Sequence, residues 1–175
     1  MLNFDNLGRP SWDLYFMSMS FLVSQRSIDP HTKHGCIVVD KDNTLLSIGY
    51  NGPPRNCIDE NVPLTRPEKY DWMVHSEEAA IVNAARVGVS LKNSIFYITG
   101  YPCEKCFRKI INVGAKKIVY GSIASLCVTK EKRKVIQQML IGQNIEMVEF
   151  KDIFSIRNIF KILDEYIVNK IKEKK

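Results

Sequence analysis

The chain has 175 residues, of which 45% are hydrophobic and 25% charged, a balance that excludes an intrinsically disordered protein. The net charge of +6 is compatible with an anionic ligand, but the basic residues fall in runs typical of solvated surfaces, which disfavours nucleic acid as a partner. An odd number of cysteines, no secretory signal and no apolar run of the ~18 residues that span a membrane predict one cytoplasmic domain over residues 1–175.

The first third of the chain predicts a helix, a hairpin and a loop. Residues 12–25 have the apolar spacing of a helix, and Ser11 is a suitable N-cap. Residues 36–39 and 45–50 predict two strands joined by a polar turn. The stretch 51–71 contains four prolines and predicts a long loop, and long loops in compact domains often carry function.

The rest of the chain alternates between helical and strand patterns. Helices are predicted over 74–86, 103–113, 131–141 and 152–172, and strands over 95–99, 117–120 and 145–150. This alternation predicts an α/β fold with helices on both faces of a mixed sheet of about five strands. The catalytic core is expected over about 12–150, followed by a C-terminal amphipathic helix whose apolar stripe predicts core or oligomer packing.

Two short segments carry the chemistry, and each begins a predicted helix. Pro102 precedes Cys103 and Cys106, which are three residues apart and therefore share one helix face. The unpaired N–H groups of a helix start favour the thiolate form that a metal needs. With His75 as a nitrogen donor, the set suits tetrahedral zinc with one position left for water, and Glu77 is placed to move that water's proton.

The pattern H-x-E followed by P-C-x-x-C is the signature of zinc nucleobase deaminases, and the chain resembles the cytidine and deoxycytidylate deaminase family over about residues 12–150. Residues 25–30, 49–53 and 70–74 resemble its deoxycytidylate branch. The resemblance implies a three-layer α/β/α fold with Zn²⁺ at two facing helix N-termini, and hydrolysis of dCMP to dUMP and ammonia. It also implies a homo-oligomer, a hexamer or a dimer, and regulation by dCTP and dTTP bound with Mg²⁺.

On this resemblance, four further residues are assigned to the substrate. Asn51 matches the family's sugar-binding Asn, although Asn-Gly is also a turn signal. Arg26 matches a basic position that meets the 5′-phosphate, with a surface arginine as the alternative. Ser76, where Ala is more usual, offers its backbone N–H to the pyrimidine carbonyl. His34 is placed at the pocket mouth, with a local hydrogen-bonding role as the alternative.

Other readings stay open at this point. Residues 122–125 contain no Arg or Lys, where some relatives place a phosphate-binding Arg, so a nucleoside, a free base or a base within nucleic acid is the alternative substrate. A non-catalytic zinc-binding module is the alternative from another class, and Glu77 argues against it.

The remaining cysteines are predicted to have structural roles. Cys36 and Cys127 are predicted to be core residues, since free cysteine is often buried. A second, structural zinc bound by His31, His34, Cys36 and Cys57 is the alternative.

Overall fold

The computed structural model describes residues 4–122 and 128–172. Within these ranges the chain forms five helices and five strands. The helices are α1 (Trp12–Ser24), α2 (Ser76–Val87), α3 (Glu104–Asn112), α4 (Lys130–Leu140) and α5 (Ile153–Lys172). The strands are β1 (Gly35–Val39), β2 (Leu45–Tyr50), β3 (Ile95–Ile98), β4 (Lys117–Gly121) and β5 (Glu146–Phe150). The proline-rich stretch contains two short 3-10 turns, Asp59–Asn61 and Glu68–Asp71.

The five strands form one mixed sheet in the order β2-β1-β3-β4-β5. The last three strands are parallel, and β1 is antiparallel to both β2 and β3, with Cys36 opposite Ile98. The α/β fold with a mixed, five-stranded sheet is therefore confirmed. The sequence suggested one antiparallel pair from the hairpin, and the second arises because β1 also pairs with a strand distant in sequence.

Two apolar clusters, one on each face of the sheet, make the fold three-layered. Strand β1 is buried along its whole length, and its side chains alternate between the clusters as the period of two requires. Cys36 and Val38 pack with α2, α3 and α4, while Ile37 and Val39 pack with α1 and α5. A central strand covered on both faces must be apolar throughout, which explains the unbroken run in β1.

The last helix is attached by its first half only. Ile156 is 4% exposed within the cluster that includes α1, and Ile153 and Phe160 pack against the same cluster. Every residue from 161 to 172 is exposed. Among the described residues, no helix is both long enough and apolar enough to cross a bilayer.

Helix α2 starts two residues later than the pattern predicted. Val74 forms an antiparallel bridge with Gly52, donating to its carbonyl at 2.8 Å and accepting from its N–H at 3.1 Å. This bridge holds Val74 in an extended conformation, so the helix begins only after His75. Two features of the sequence lie outside the described residues. They are Cys127, which was predicted to be a core residue, and residues 123–125, which belong to the segment without an Arg or Lys for a phosphate.

Candidate active site

Two helix starts face each other at the site. His75 is the N-cap of α2 and Cys103 the N-cap of α3. Strand β2 passes close beneath the first turn of α2 at Gly49, where an added Cβ would lie 2.2 Å from the carbonyl oxygen of Ser76. Only glycine permits this approach, so the position of the first turn of α2 depends on it.

The three donors predicted from the sequence come together. The ligating atoms of His75, Cys103 and Cys106 all lie within 4.8 Å of one another. Nδ1 of His75 is 3.5 Å from Sγ of Cys103 and 3.4 Å from Sγ of Cys106. Tetrahedral zinc, with Zn–S of about 2.3 Å and Zn–N of about 2.0 Å, sets such N···S separations at roughly 3.5 Å. The donor set therefore fits a zinc ion.

Burial decreases across the donor set, from buried Cys106 through half-buried Cys103 to exposed His75. The two cysteines lie at the first turn of one helix as predicted, but of the two only Cys106 is fully buried. Around a tetrahedral ion, three protein donors would leave a fourth position for a non-protein ligand, as in catalytic zinc sites. The burial gradient indicates that access to the site is from the His75 side.

The protonation of the donors reflects their mutual hydrogen bonds. Hydrogen bonding with Cys106 and with the His75 ring lowers the pKa of the Cys103 thiol to about 3, against the opposing effect of burial. The backbone N–H of Cys106 also donates to Cys103 Sγ at 3.5 Å, as expected at a helix N-terminus. The same contact with Cys103, together with burial, raises the pKa of Cys106. A bound cation would replace these shared protons and stabilise both thiolates.

Glu77 lies inside the first turn of α2 and is 5% exposed. The hydroxyl of Ser76, itself fully buried, donates to Oε2 of Glu77 at 3.0 Å and so fixes the orientation of the carboxylate. Glu77 follows His75 by two residues in the first turn of α2, and its negative charge contributes to raising the pKa of Cys106 and of His75. Ser76 thus has a contact in the site that the sequence did not suggest.

Asn51 and His34 are joined by hydrogen bonds. Asn51 is 7% exposed, accepts from the His34 backbone N–H at 2.7 Å and donates to the Thr32 carbonyl at 2.8 Å. The His34 ring contacts Thr99 Oγ1 through Nδ1 at 3.2 Å. Burial lowers the pKa of His34, and the opposing charge of Glu77 offsets this only in part, so the ring is neutral at neutral pH. The local-bonding alternative is therefore realised for His34, whereas Asn51 lies just past the end of β2 beside the Gly52–Val74 bridge and not in a turn. The substrate contacts of both residues stay predictions.

Arg26 lies elsewhere. It is exposed just beyond the end of α1 and lines a cavity of about 430 Å³ together with Tyr50, Gly52 and Arg55. The described residues that line this cavity do not include the metal donors. Gly52 links this cavity to the site, because it forms a β-bridge with Val74, the residue immediately before His75. The phosphate contact of Arg26 stays a prediction.

Sequence reasoning missed a buried ion pair behind the site. Lys69 Nζ lies 2.6 Å from Asp29 Oδ2, and both side chains are 3% exposed. Asp29 Oδ1 also accepts the backbone N–H groups of His31 and Thr32 at 2.9 and 3.1 Å. The pair ties the proline-rich loop to the turn that carries Thr32, the partner of Asn51. Forty residues separate its members, so no spacing rule could have found it.

The second zinc proposed as an alternative is not assembled. Among residues 4–122 and 128–172, the one group of three close His, Cys, Asp or Glu donors is that of His75, Cys103 and Cys106. Cys36 is fully buried in β1, where burial raises the pKa of its thiol. This is the core role predicted for it.

The comparison with known families identifies the zinc-binding region. The sequence profile of the cytidine and deoxycytidylate deaminase zinc-binding region matches residues 10–122. A probable deoxycytidylate deaminase of Drosophila melanogaster is 40% identical over 122 residues, which cover 63% of this chain and 59% of that protein. The human deoxycytidylate deaminase is 35% identical over 117 residues, covering 63% of this chain and 65% of the human protein. The match thus spans less than two thirds of each of these relatives.

A solved structure shares the architecture. The dCMP deaminase of cyanophage S-TIM5, in complex with dCMP and dUMP, superposes with a TM-score of 0.64 at 26% identity. The superposition covers 81% of this chain and 98% of the phage chain.

Proposed function

The chain belongs to the cytidine and deoxycytidylate deaminase family, and we propose that it is a zinc-dependent hydrolase that converts dCMP to dUMP and ammonia. The observation that carries the proposal is the meeting of His75, Cys103 and Cys106 at N···S distances that suit zinc, beside the buried carboxylate of Glu77. The relatives named deoxycytidylate deaminase and the phage enzyme that binds dCMP and dUMP support the choice of substrate.

The chemistry is divided between a metal and one carboxylate. His75, Cys103 and Cys106 would hold the zinc ion, which would supply a Lewis acid that lowers the pKa of a water molecule. Glu77 would accept a proton from the attacking water as the water oxygen bonds to C4 of the base, and would deliver this proton to N3. Glu77 then transfers the second proton to the exocyclic amine, the C4–N bond breaks and ammonia leaves.

The neighbouring residues keep Glu77 in position for both transfers. The Ser76 hydroxyl occupies Oε2, so Oε1 is the oxygen oriented to exchange protons with the base. The Ser76 backbone N–H binds the pyrimidine carbonyl in this proposal. Asn51 contacts the sugar with the lone pair and the N–H that remain on its amide after its contacts with His34 and Thr32.

In this proposal the phosphate of the substrate is bound outside the metal centre. Arg26 and Arg55 line the neighbouring cavity, and in this proposal Arg26 binds the 5′-phosphate. We also propose that the active form is a homo-oligomer, and that dCTP with Mg²⁺ activates it while dTTP inhibits it.

A substrate panel tests the proposal. Ammonia release is measured for zinc-loaded protein with dCMP, deoxycytidine, guanine and a cytosine-containing oligonucleotide, alongside the zinc content of the same sample. We expect dCMP to be turned over with the highest kcat/KM. A higher value for deoxycytidine or the oligonucleotide would refute the monophosphate assignment, and bound zinc with no turnover of the whole panel would indicate the non-catalytic module.

Regulation has its own measurement. We expect the rate to depend sigmoidally on dCMP concentration, with dCTP making the curve hyperbolic and dTTP making it steeper. Hyperbolic kinetics unaffected by either nucleotide would contradict the regulatory part of the proposal alone.

A further inference from the structure

One face of α5 is apolar along its whole length. Ile156, Phe160, Leu163, Ile167 and Ile171 follow one another at spacings of three and four residues, so they form a single row. Ile156 is 4% exposed against the body of the protein, whereas Leu163 and Ile167 are each 47% exposed and Ile171 is 55% exposed. The first half of the row is therefore covered, and the second half projects uncovered.

A groove runs between α1 and the covered half of α5, with a volume of about 480 Å³. Its lining residues are Phe21 and Leu22 from α1, the C-cap residue Gln25, and Ile153, Ile156, Arg157 and Phe160 from α5. Most of this lining is apolar, and Leu22 is 57% exposed at its edge. An apolar groove of this kind is suited to the apolar face of an amphipathic helix.

The projecting half of α5 has the properties of such a helix. Residues 161–172 form three turns and extend about 18 Å at the usual helical rise. Isolated helices shorter than about 12–15 residues are marginal in water, because their stability comes mainly from packing of an apolar face. The uncovered row therefore needs a partner surface to keep this segment helical.

We propose that the partner is a second copy of this chain, with the two α5 helices antiparallel across a two-fold axis. In this arrangement each copy places Leu163 and Ile167 in the groove of the other. The groove and the projecting row lie on the same face of α5. A single two-fold axis therefore places the row of each copy in the groove of the other, and both grooves of the dimer are filled. The helix lies beyond residues 10–122 that the family profile matches, so the proposal goes beyond the deaminase chemistry and does not depend on it.

The charges on this face favour the antiparallel arrangement. Arg157 lines the groove, and Asp164 lies seven residues later, two helical turns along the same side. Both are equally far from the point between Phe160 and Lys161. A two-fold axis at that point sets Arg157 of each copy against Asp164 of the other, at opposite ends of the contact. In-register parallel helices would instead set each Arg157 against its own counterpart, which repels.

Charge reversal tests the pairing in the full-length chain. Sedimentation velocity is measured for the wild type, Arg157→Glu, Asp164→Arg and the double variant. We expect each single variant to weaken self-association by roughly tenfold or more, and the double variant to restore it. Glu165→Arg is the matched control, because it makes the same charge change on the adjacent residue, which points away from the row, and should leave self-association unchanged. Single variants that associate like the wild type would overturn the proposal.

Disulfide trapping reads the same contact whatever the size of the whole assembly. In Arg157→Cys/Asp164→Cys, the two positions on one helix are about 10.5 Å apart, beyond the ~7 Å that a disulfide can bridge, so a 157–164 disulfide forms only between copies. We expect mass spectrometry to find this cross-linked peptide after mild oxidation. Arg157→Cys/Glu165→Cys is the control and should give little of its own cross-link. No 157–164 disulfide, or an equal yield in the control, would contradict the antiparallel contact.

Discussion

The active-site edge and the C-terminal half of α5 differ in how their side chains are held. At the active-site edge, contacts join segments far apart in sequence: Asn51 bonds to Thr32 and to His34, and Thr99 contacts both His34 and the Gly35 N–H. In residues 161–172 every side chain is exposed, and an ion pair in this segment, Lys161 with Glu165, joins residues one turn apart on the same helix.

This difference indicates that the two regions hold their side chains for different purposes. Donors and acceptors that are fixed by distant partners keep a catalytic geometry in the isolated chain, because each contact restrains two segments at once. A helix with local contacts alone keeps an apolar row available for a second chain. Substitutions at the first region should therefore reduce catalysis or folding, and those at the second should change assembly and little else.

The largest expected effect is at Glu77. Replacing it with Gln keeps the shape and the hydrogen bond from Ser76 but removes the proton acceptor, so we expect kcat to fall by roughly 10²–10⁴-fold with zinc retained. Rates of dUMP formation and metal analysis of the same sample measure this. Glu78→Gln is the control, since Glu78 pairs with Lys109 on the protein surface. A fully active Glu77→Gln enzyme would exclude the proton-transfer role.

Loss of a metal donor should be nearly as severe. Cys106→Ser replaces a thiolate with a neutral hydroxyl, which is a poor zinc ligand, so we expect both zinc content and dCMP turnover to fall to a small fraction of wild type. Cys57→Ser is the matched control because Cys57 lines the neighbouring cavity instead. Equal zinc content in the two variants would show that the metal is held elsewhere.

The next largest effect is expected when the buried ion pair between Lys69 and Asp29 is broken. Lys69→Met leaves the Asp29 carboxylate buried without its cation, and removing one partner of such a pair costs about 3–5 kcal/mol. Chemical denaturation measures the loss, and KM for dCMP should rise because the loop against Thr32 and Asn51 is loosened. Lys41→Met, which breaks the exposed pair with Asp42, should cost about 0–1 kcal/mol. Equal losses in the two variants would mean that the buried pair is structurally unimportant.

The same variant changes the response to acid. Burial raises the pKa of Asp29, but hydrogen bonds from Lys69 and from the His31 and Thr32 N–H groups outweigh it and lower the pKa overall. A carboxyl group whose pKa is lower in the folded state stabilises the protein at pH values above its ordinary, unfolded-state pKa. This stability is lost as the pH falls through the folded-state pKa. Lys69→Met raises that pKa, so acid unfolding followed by circular dichroism should begin at a higher pH than in wild type.

The smallest effect is expected at the surface of α5. Lys161→Ala removes an exposed pair with Glu165 at 3.8 Å, which is worth about 0.3–0.5 kcal/mol, so Tm and kcat should stay close to wild type. Thermal unfolding and steady-state kinetics check this. A loss of activity comparable to that of Lys69→Met would erase the contrast between the two regions.

The metal centre was accessible to sequence reasoning for a local reason. The i, i+3 spacing of Cys103 and Cys106 and the position of Glu77 two residues after His75 are settled by helix geometry within a few residues. The fold class followed similarly from the alternation of strand and helix patterns. The start of α2 was placed too early because Val74 pairs with Gly52, a contact made across the proline-rich loop.

The sequence alone determined the family, the α/β architecture and the three candidate zinc donors, because each rests on short-range spacing. Only the tertiary structure decided that Asn51 accepts a hydrogen bond from His34, that Lys69 is buried against Asp29, and that Arg26 lines the neighbouring cavity. It also decided that half of the apolar stripe of α5 is covered by α1 while the other half projects. These outcomes depend on which distant segments meet, and that is fixed by the packing of the whole sheet and not by any local pattern.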